Sequence, residues 1–249
     1  MSRRARLVVL AVGLALSAGV LVWGLVSVPG FGHYSGRYGR ILARDTVPDR
    51  HATNAVVVTT FDYRGVDTLI EEFILFVSVV GVTLLLRTQR DEERARRAAR
   101  AAEREDPETS DALRWVALGL VGPVALLAMY IVTHGHLTPG GGFQGGIVLA
   151  TSLVLVFVAG RFAIARRGRG HPLLEAVHGT GAAAFAMIGF GGLIGTGVFL
   201  RNFISSGGTG LLTGGMIPLA NLSVGLEVTG ALLLVVTELL DQRLLRPRR

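Results

Sequence analysis

Thr133-His134-Gly135-His136-Leu137-Thr138-Pro139-Gly140-Gly141-Gly142-Phe143-Gln144-Gly145-Gly146 is a glycine-rich turn wedged between two apolar runs long enough to cross a bilayer. Non-helical backbone joined so closely to lipid-crossing helices is costly unless protein or water satisfies its N–H and C=O groups. The stretch therefore predicts a loop buried in a complex and sheltered by neighbouring subunits. Pro139 fixes one dihedral, Gly140, Gly141 and Gly142 permit left-handed conformations, and Phe143 is expected to plug an apolar pocket.

Outward from this loop, the chain of 249 residues is half hydrophobic, with a mean hydropathy of +0.52. Six apolar runs approach the length of about 20 residues that a hydrocarbon core requires. They cover 7–28, 69–86, 115–133, 147–164, 173–200 and 219–240. The reading is an all-α, polytopic membrane protein of about six transmembrane helices. Arg-rich residues ahead of the first run and an Ala-Leu-Ser-Ala stretch have the form of a signal peptide, but the run continues well past that point, which favours a retained span.

All 25 basic residues are Arg, and the net charge is +7. With the N-terminus in the cytoplasm, 19 of the 25 fall on the cytoplasmic side and six outside. The bias predicts a multi-pass protein of the cell membrane with both termini cytoplasmic. Arg alternating from loop to loop argues against a nucleic-acid partner. There is no Cys, so disulfides and thiolate metal sites are excluded.

Residues 91–110 are rich in Ala and charge without an apolar face, and predict a charged cytoplasmic linker, helical until Asp106-Pro107 breaks it; Ser110 or Asp111 can cap the next span. This divides the chain into a two-span module, 1–90, and a four-span module, 111–249. In the fifth run Gly191 and Gly195 have the spacing that lets helix backbones approach, so this span is expected inside the bundle.

Gly140, Gly142 and Gly145 spell a formal G-x-G-x-x-G, but its flanks are membrane runs rather than a strand and a crossover unit, so a nucleotide site is rejected. His134 and His136 lack Cys, Asp or Glu nearby and make a poor metal site. They are placed instead at the mouth of a bundle, bonding to water or titrating near neutral pH. No nucleophile and base pair and no cofactor motif is present, so neither catalytic residues nor a cofactor is expected.

The loop from Thr133 to Gly146 closely resembles the signature loop of the B subunit of Mrp-type multisubunit sodium/proton antiporters. Gly214-Gly215-Met216-Ile217-Pro218-Leu219-Ala220-Asn221-Leu222-Ser223-Val224-Gly225-Leu226-Glu227-Val228 resembles that family's final outer loop and helix. Residues Asn54 to Glu71 are similar to the C-terminal end of the family's large A subunit, and to a small subunit of related membrane-bound hydrogenases. Ile70 departs from the Gly usual before that motif's Glu. The resemblance implies a membrane subunit of a monovalent cation/proton antiporter, with other antiporter subunits as partners, Na+ and H+ as transported ions, and the large proton-translocating subunits elsewhere.

Five titratable groups are candidates for an ion or proton path. Asp67 and Glu71 lie one helical turn apart at the outer start of the second span, where acids also stabilise a helix N-terminus. Glu227 falls well inside the last span and has to be protonated, paired or hydrated. Glu175 and His178, three residues apart, form either an interfacial ion pair or a proton-exchanging site. Asn221-Leu222-Ser223 matches a glycosylation sequon but falls at a membrane edge and is set aside. Three further classes stay open: a subunit of a membrane-bound hydrogenase or complex I-like respiratory assembly, a pure scaffold, and a metallohydrolase using His134 and His136.

Overall fold

The computed structural model describes residues 3–28, 36–86, 110–159, 170–204, 207 and 210–243. The expected linker helix ahead of Ser110, and the fourth run beyond residue 159, lie outside the described residues. The described secondary structure is helical throughout: α1 Arg3–Val26, α2 Arg37–Arg50, α3 Ala55–Val58, a π-helical turn Thr59–Tyr63, α4 Gly65–Leu86, α5 Asp111–Thr133, α6 Gly142–Val158, α7 Gly170–Thr196 and α8 Ile217–Arg243. Four helices are long and apolar enough to span a membrane, over Gly65–Leu86, Asp111–Thr133, Pro172–Thr196 and Ile217–Leu239. Ala11–Val26 and Gly142–Val158 are shorter apolar helices. The fourth begins directly after the glycine loop, at Gly142. The fifth ends early because the chain turns back through Gly197 and Leu200, both at positive φ.

Two compact units are present, Met1–Ile41 and Leu42–Arg249. The first holds α1 and the start of α2. In the second, α8 lies at the centre, against α4, α5, α6 and α7. Two-thirds of its apolar window (67%) is buried, against 28% for α7 and 11% for α4. This corrects the expectation for the fifth run. Gly191, Gly192 and Gly195 of α7 receive the chain's own return segment, Arg201 and Phe203, rather than another helix.

Local signals explain the boundaries. Asn54 caps α3, its side-chain oxygen accepting from Val56 N–H and Val57 N–H. The π-turn and Arg64 then interrupt the helix before α4 begins at Gly65. Thr68 spans that break by donating its hydroxyl to Thr60 O (2.7 Å). Arg50 pairs with the buried Asp62 and lies over the Tyr63 ring at 5.3 Å, fixing α2 against the interruption. Ser110 caps α5 through Leu113 N–H.

Candidate functional site

The glycine loop is sheltered by its own chain, which corrects the expectation that neighbouring subunits must do so. Asn54 Nδ2 donates to Gly135 O (2.8 Å) and Thr138 O (2.9 Å), and Asn54 N–H donates to His136 O (3.1 Å). Thr53 donates to Leu137 O. From α8, the fully buried Asn221 accepts Gly142 N–H on its Oδ1 at 2.8 Å. Several of the main-chain groups that lipid would leave unpaired are thus satisfied within one polypeptide. Gly140 and Gly141 have φ of +151° and +145°, as the glycine reading requires. Gly142 is needed for a different reason: a Cβ there would run into Asn221 O.

The other loop residues separate. His134 stacks on Tyr130 (4.2 Å) and donates from Nδ1 to Tyr130 O. His136 is fully buried and donates from Nε2 to Gly210 O at 3.2 Å, leaving Nδ1 without a partner. Burial holds its pKa below the ordinary histidine value, against the opposing effect of the Gly210 hydrogen bond. Pro139 is exposed. Phe143 is 43% exposed and does not plug a pocket; with Gln144 it borders a cavity instead.

That cavity, about 260 Å³, is bounded by the loop at Gly140 to Gln144, by Val56, Thr60 and Phe61, by Thr68, Glu71 and Glu72 of α4, and by Val224 of α8. Glu71 is exposed and Glu72 is 2% exposed, so the two adjacent carboxyls occupy opposite ends of the polarity range. Beyond Glu72 lies Glu227, fully buried on α8, and the two side chains face each other within hydrogen-bonding reach. Glu72 Oε2 and both oxygens of Glu227 are buried without a hydrogen-bond partner. Two carboxyl groups buried against each other avoid like-charge repulsion only when one of them carries a proton. The pair lies between α4 and α8, and Glu72 also borders the cavity.

His178 completes the surroundings of Glu227. Its ring is 3% exposed, stacks on Phe76 at 4.9 Å, and donates from Nδ1 to Glu227 O at 3.3 Å; Nε2 has no partner. α7 and α8 meet here backbone to backbone, since a Cβ on Gly181 would strike Glu227 and one on Gly230 would lie 2.7 Å from His178 N. Glu175, one turn away, is exposed and makes no ion pair with His178, which corrects the interfacial-pair expectation: burial takes the imidazole out of its reach. Asp67 is also exposed and pairs with Arg64 in the first turn of α4, the helix-terminus role rather than a shared site with Glu71.

Of the expected path residues, the structure brings together Glu227 and His178, and sets Glu71 at the cavity. Glu72, Asn54 and Asn221 were missed. The signal for Glu72 is phase: Gly65, Thr68, Glu72 and Val79, all buried, follow the helical repeat, whereas Asp67 and Glu71 fall on the exposed stripe. Among the described residues, no three His, Cys, Asp or Glu side chains gather as a metal cluster.

Fold and site together define a multi-pass helical membrane protein that keeps a buried carboxyl pair inside its own bundle. Residues 112–234 match the family described as a domain related to the MnhB subunit of Na+/H+ antiporter. The chain is 38% identical over 55 residues to the B subunit of a Na(+)/H(+) antiporter in Bacillus subtilis, covering 22% of this chain and 38% of that one. It is 30% identical over 142 residues to the probable A/B subunit of a K(+)/H(+) antiporter in Rhizobium meliloti, covering 49% of this chain and 14% of that much longer one. An uncharacterized protein of Methanocaldococcus jannaschii is 29% identical over 200 residues, 72% of this chain and 74% of the other.

Among solved structures, a chain of the Mrp complex from Dietzia sp. superposes with a TM-score of 0.67 and 26% identity, over 96% of this chain and 26% of that one. A chain of the membrane-bound sulfane sulfur reductase, an archaeal respiratory membrane complex, also gives 0.67, with 28% identity over 95% of this chain and 98% of that one. Residues 112–234 are thus a domain of the MnhB family of Na+/H+ antiporter subunits, and the chain is similar to membrane subunits of multisubunit Mrp-type antiporters.

Proposed function

We propose that, within the antiporter, this chain contributes Glu72 and Glu227 to the path of the exchanged ions, with H+ moving against a monovalent cation, Na+ first. The observation that carries the reading is the carboxyl pair, buried between α4 and α8 with Glu72 Oε2 and both Glu227 oxygens lacking a hydrogen-bond partner. Buried carboxyls in a membrane bundle are expensive and mark ion or proton routes. Glu72 touches the cavity and Glu227 does not, so Glu72 is the point of exchange with water and Glu227 the inner partner.

The rest of the proposal follows the family and the charge pattern. The chain crosses the membrane six times with both termini cytoplasmic, Asp67 and Glu175 serve as surface charges, and the chain catalyses no reaction of its own. Residues 1–90 and 111–249 are an A-like and a B-like module joined by the charged linker 91–110. The Rhizobium relative, whose name joins A and B in one polypeptide, and the bonds from Asn54 to the glycine loop support that arrangement.

Glu72→Gln and Glu227→Gln preserve side-chain size and remove one of two buried carboxyls, so the complex is expected to assemble. In everted vesicles each variant is expected to lower cation-dependent proton exchange by about tenfold or more, roughly 1.4 kcal/mol in the barrier. Wild-type exchange with normal complex yield refutes the ionic role. The likeness to a chain of a respiratory complex supports a second reading, in which a related assembly uses the same helices. Proteins copurifying in mild detergent separate the two.

A further inference from the structure

The carboxyl pair has different surroundings on its two sides. On the loop side, the cavity brings Thr60, Thr68, Glu71 and Gln144 to the edge of Glu72. A space of about 260 Å³ has room for several waters, and these four side chains supply polar partners within its otherwise apolar lining. The side chain of Glu72 borders this space, and its Oε2 is buried without a hydrogen-bond partner. On the other side no such lining continues. One turn along α4 from Glu72, Phe76 stacks on His178 with an interplanar angle of 19°. A turn further, Val79 (3% exposed) meets Ala231 and Leu234 of α8, with Leu75, Leu174 and Val235 filling in around them. The side chains named in this layer are all apolar. The glycine contacts at Gly181 and Gly230 remove the space between α7 and α8 at the same depth.

We propose that the protein is a well open on one side: water and small hydrated cations reach Glu72 from the face of the glycine loop, and the Phe76–His178 stack with the Val79–Ala231–Leu234 layer seals the opposite face. The inference rests on the proposed role of the carboxyl pair and adds its access. A proton leaving Glu227 away from the cavity meets His178 first, whose Nε2 is the one unpartnered polar atom of the seal among the described residues. The seal is what keeps the pair from short-circuiting the gradient that the complex exploits, because a continuous water column past two carboxyls would conduct protons without cation exchange.

The chain contains no cysteine, so single thiols can be placed against a silent background. Thr68→Cys reports the well, its thiol keeping a donor for Thr60 O. Val79→Cys and Leu234→Cys report the seal, and Val79→Cys, nearly conserving volume, carries the test if Leu234→Cys lowers complex yield. The probe is a membrane-impermeant cationic methanethiosulfonate applied to the assembled complex in right-side-out and everted vesicles, with the complex of the unsubstituted chain subtracted. Thr68→Cys is expected to react from the loop face about a hundredfold faster than either seal position reacts from either face, since reaction follows access. Val79→Cys or Leu234→Cys reacting within about tenfold of Thr68→Cys overturns the seal, and an inert Thr68→Cys overturns the well. The labelling reads access rather than exchange. Normal transport by Glu227→Gln would therefore remove the ionic role while leaving the access result intact.

Discussion

Asn54 ties the first module to the glycine loop, and Asn54→Ser isolates that tie. Ser keeps an oxygen to cap α3 through Val56 N–H and Val57 N–H, and loses both Nδ2 donors, those to Gly135 O and Thr138 O. Each lost bond is worth about 1 kcal/mol net, so the loop is destabilised by about 2 kcal/mol. At 1.4 kcal/mol per decade this raises the population of the opened loop about 30-fold. Asn54→Asp also keeps the cap, but sets a carboxylate against the same two carbonyl oxygens, so it is expected to exceed Asn54→Ser. The assay is limited chymotrypsin cleavage at Leu137 and Phe143 in the purified complex, with protease dilute enough that the rate follows the open population. Equal cleavage of the wild type and Asn54→Ser would refute the reasoning, and would return the loop's shelter to neighbouring subunits.

Two further outcomes follow from single positions. Gly142→Ala drives a methyl into Asn221 O and to 2.9 Å from Val224 Cβ, whereas Gly179→Ala enters open space; the first is expected to cost about 1–3 kcal/mol and the second to be neutral or stabilising by up to about 1 kcal/mol, read as heat-induced loss of the complex. His136, whose pKa burial lowers in the folded chain, contributes stability that is present above the ordinary histidine pKa and lost as pH falls toward its folded value. The melting temperature of the complex is expected to fall between pH 8 and pH 5.5 by more for the wild type than for His136→Gln, and equal falls would exclude His136 as a source.

What the sequence shows well here is what acts locally. Apolar run lengths locate the helices within a few residues, and Ser110 caps α5 as its position suggests. The glycine loop announces its positive φ values at Gly140 and Gly141. Partners separated by long stretches of chain are a different matter. Asn54 and Asn221 reach the loop across 81 and 79 residues, and nothing local marks either as its support. Asn221 even presents itself as part of a sequon. Glu72 lies beside the motif residue Glu71, and attention to the pair Asp67 and Glu71 selects the stripe of α4 that turns away from α8. About a hundred degrees of helical rotation separates a surface acid from the buried one.

The misplaced centre of the bundle has the same origin. In water, apolar content marks the buried face; in lipid it does not, because the surroundings are as apolar as the core, and small and polar residues mark the contacts instead. α7 owns the glycines at 189–195, yet these make room for the segment at 199–203. α8 is the central helix because its buried positions include, beside apolar ones such as Val224 and Val228, Asn221, Ser223, Gly225, Glu227, Thr229 and Gly230, a polar and small series that a lipid-facing helix has no use for. Thr229 shows how the series works: its hydroxyl bonds within α8 to Gly225 O (2.6 Å) and across to Gly146 O of α6 (3.2 Å). The same close approach that lets Gly146 meet α8 also carries Gly142 to Asn221 and Gly181 to Glu227. The glycine loop, the cavity and the carboxyl pair thus depend on one helix whose composition is set by contact with its neighbours, and a substitution that enlarges any of these small residues is expected to disturb all of them together.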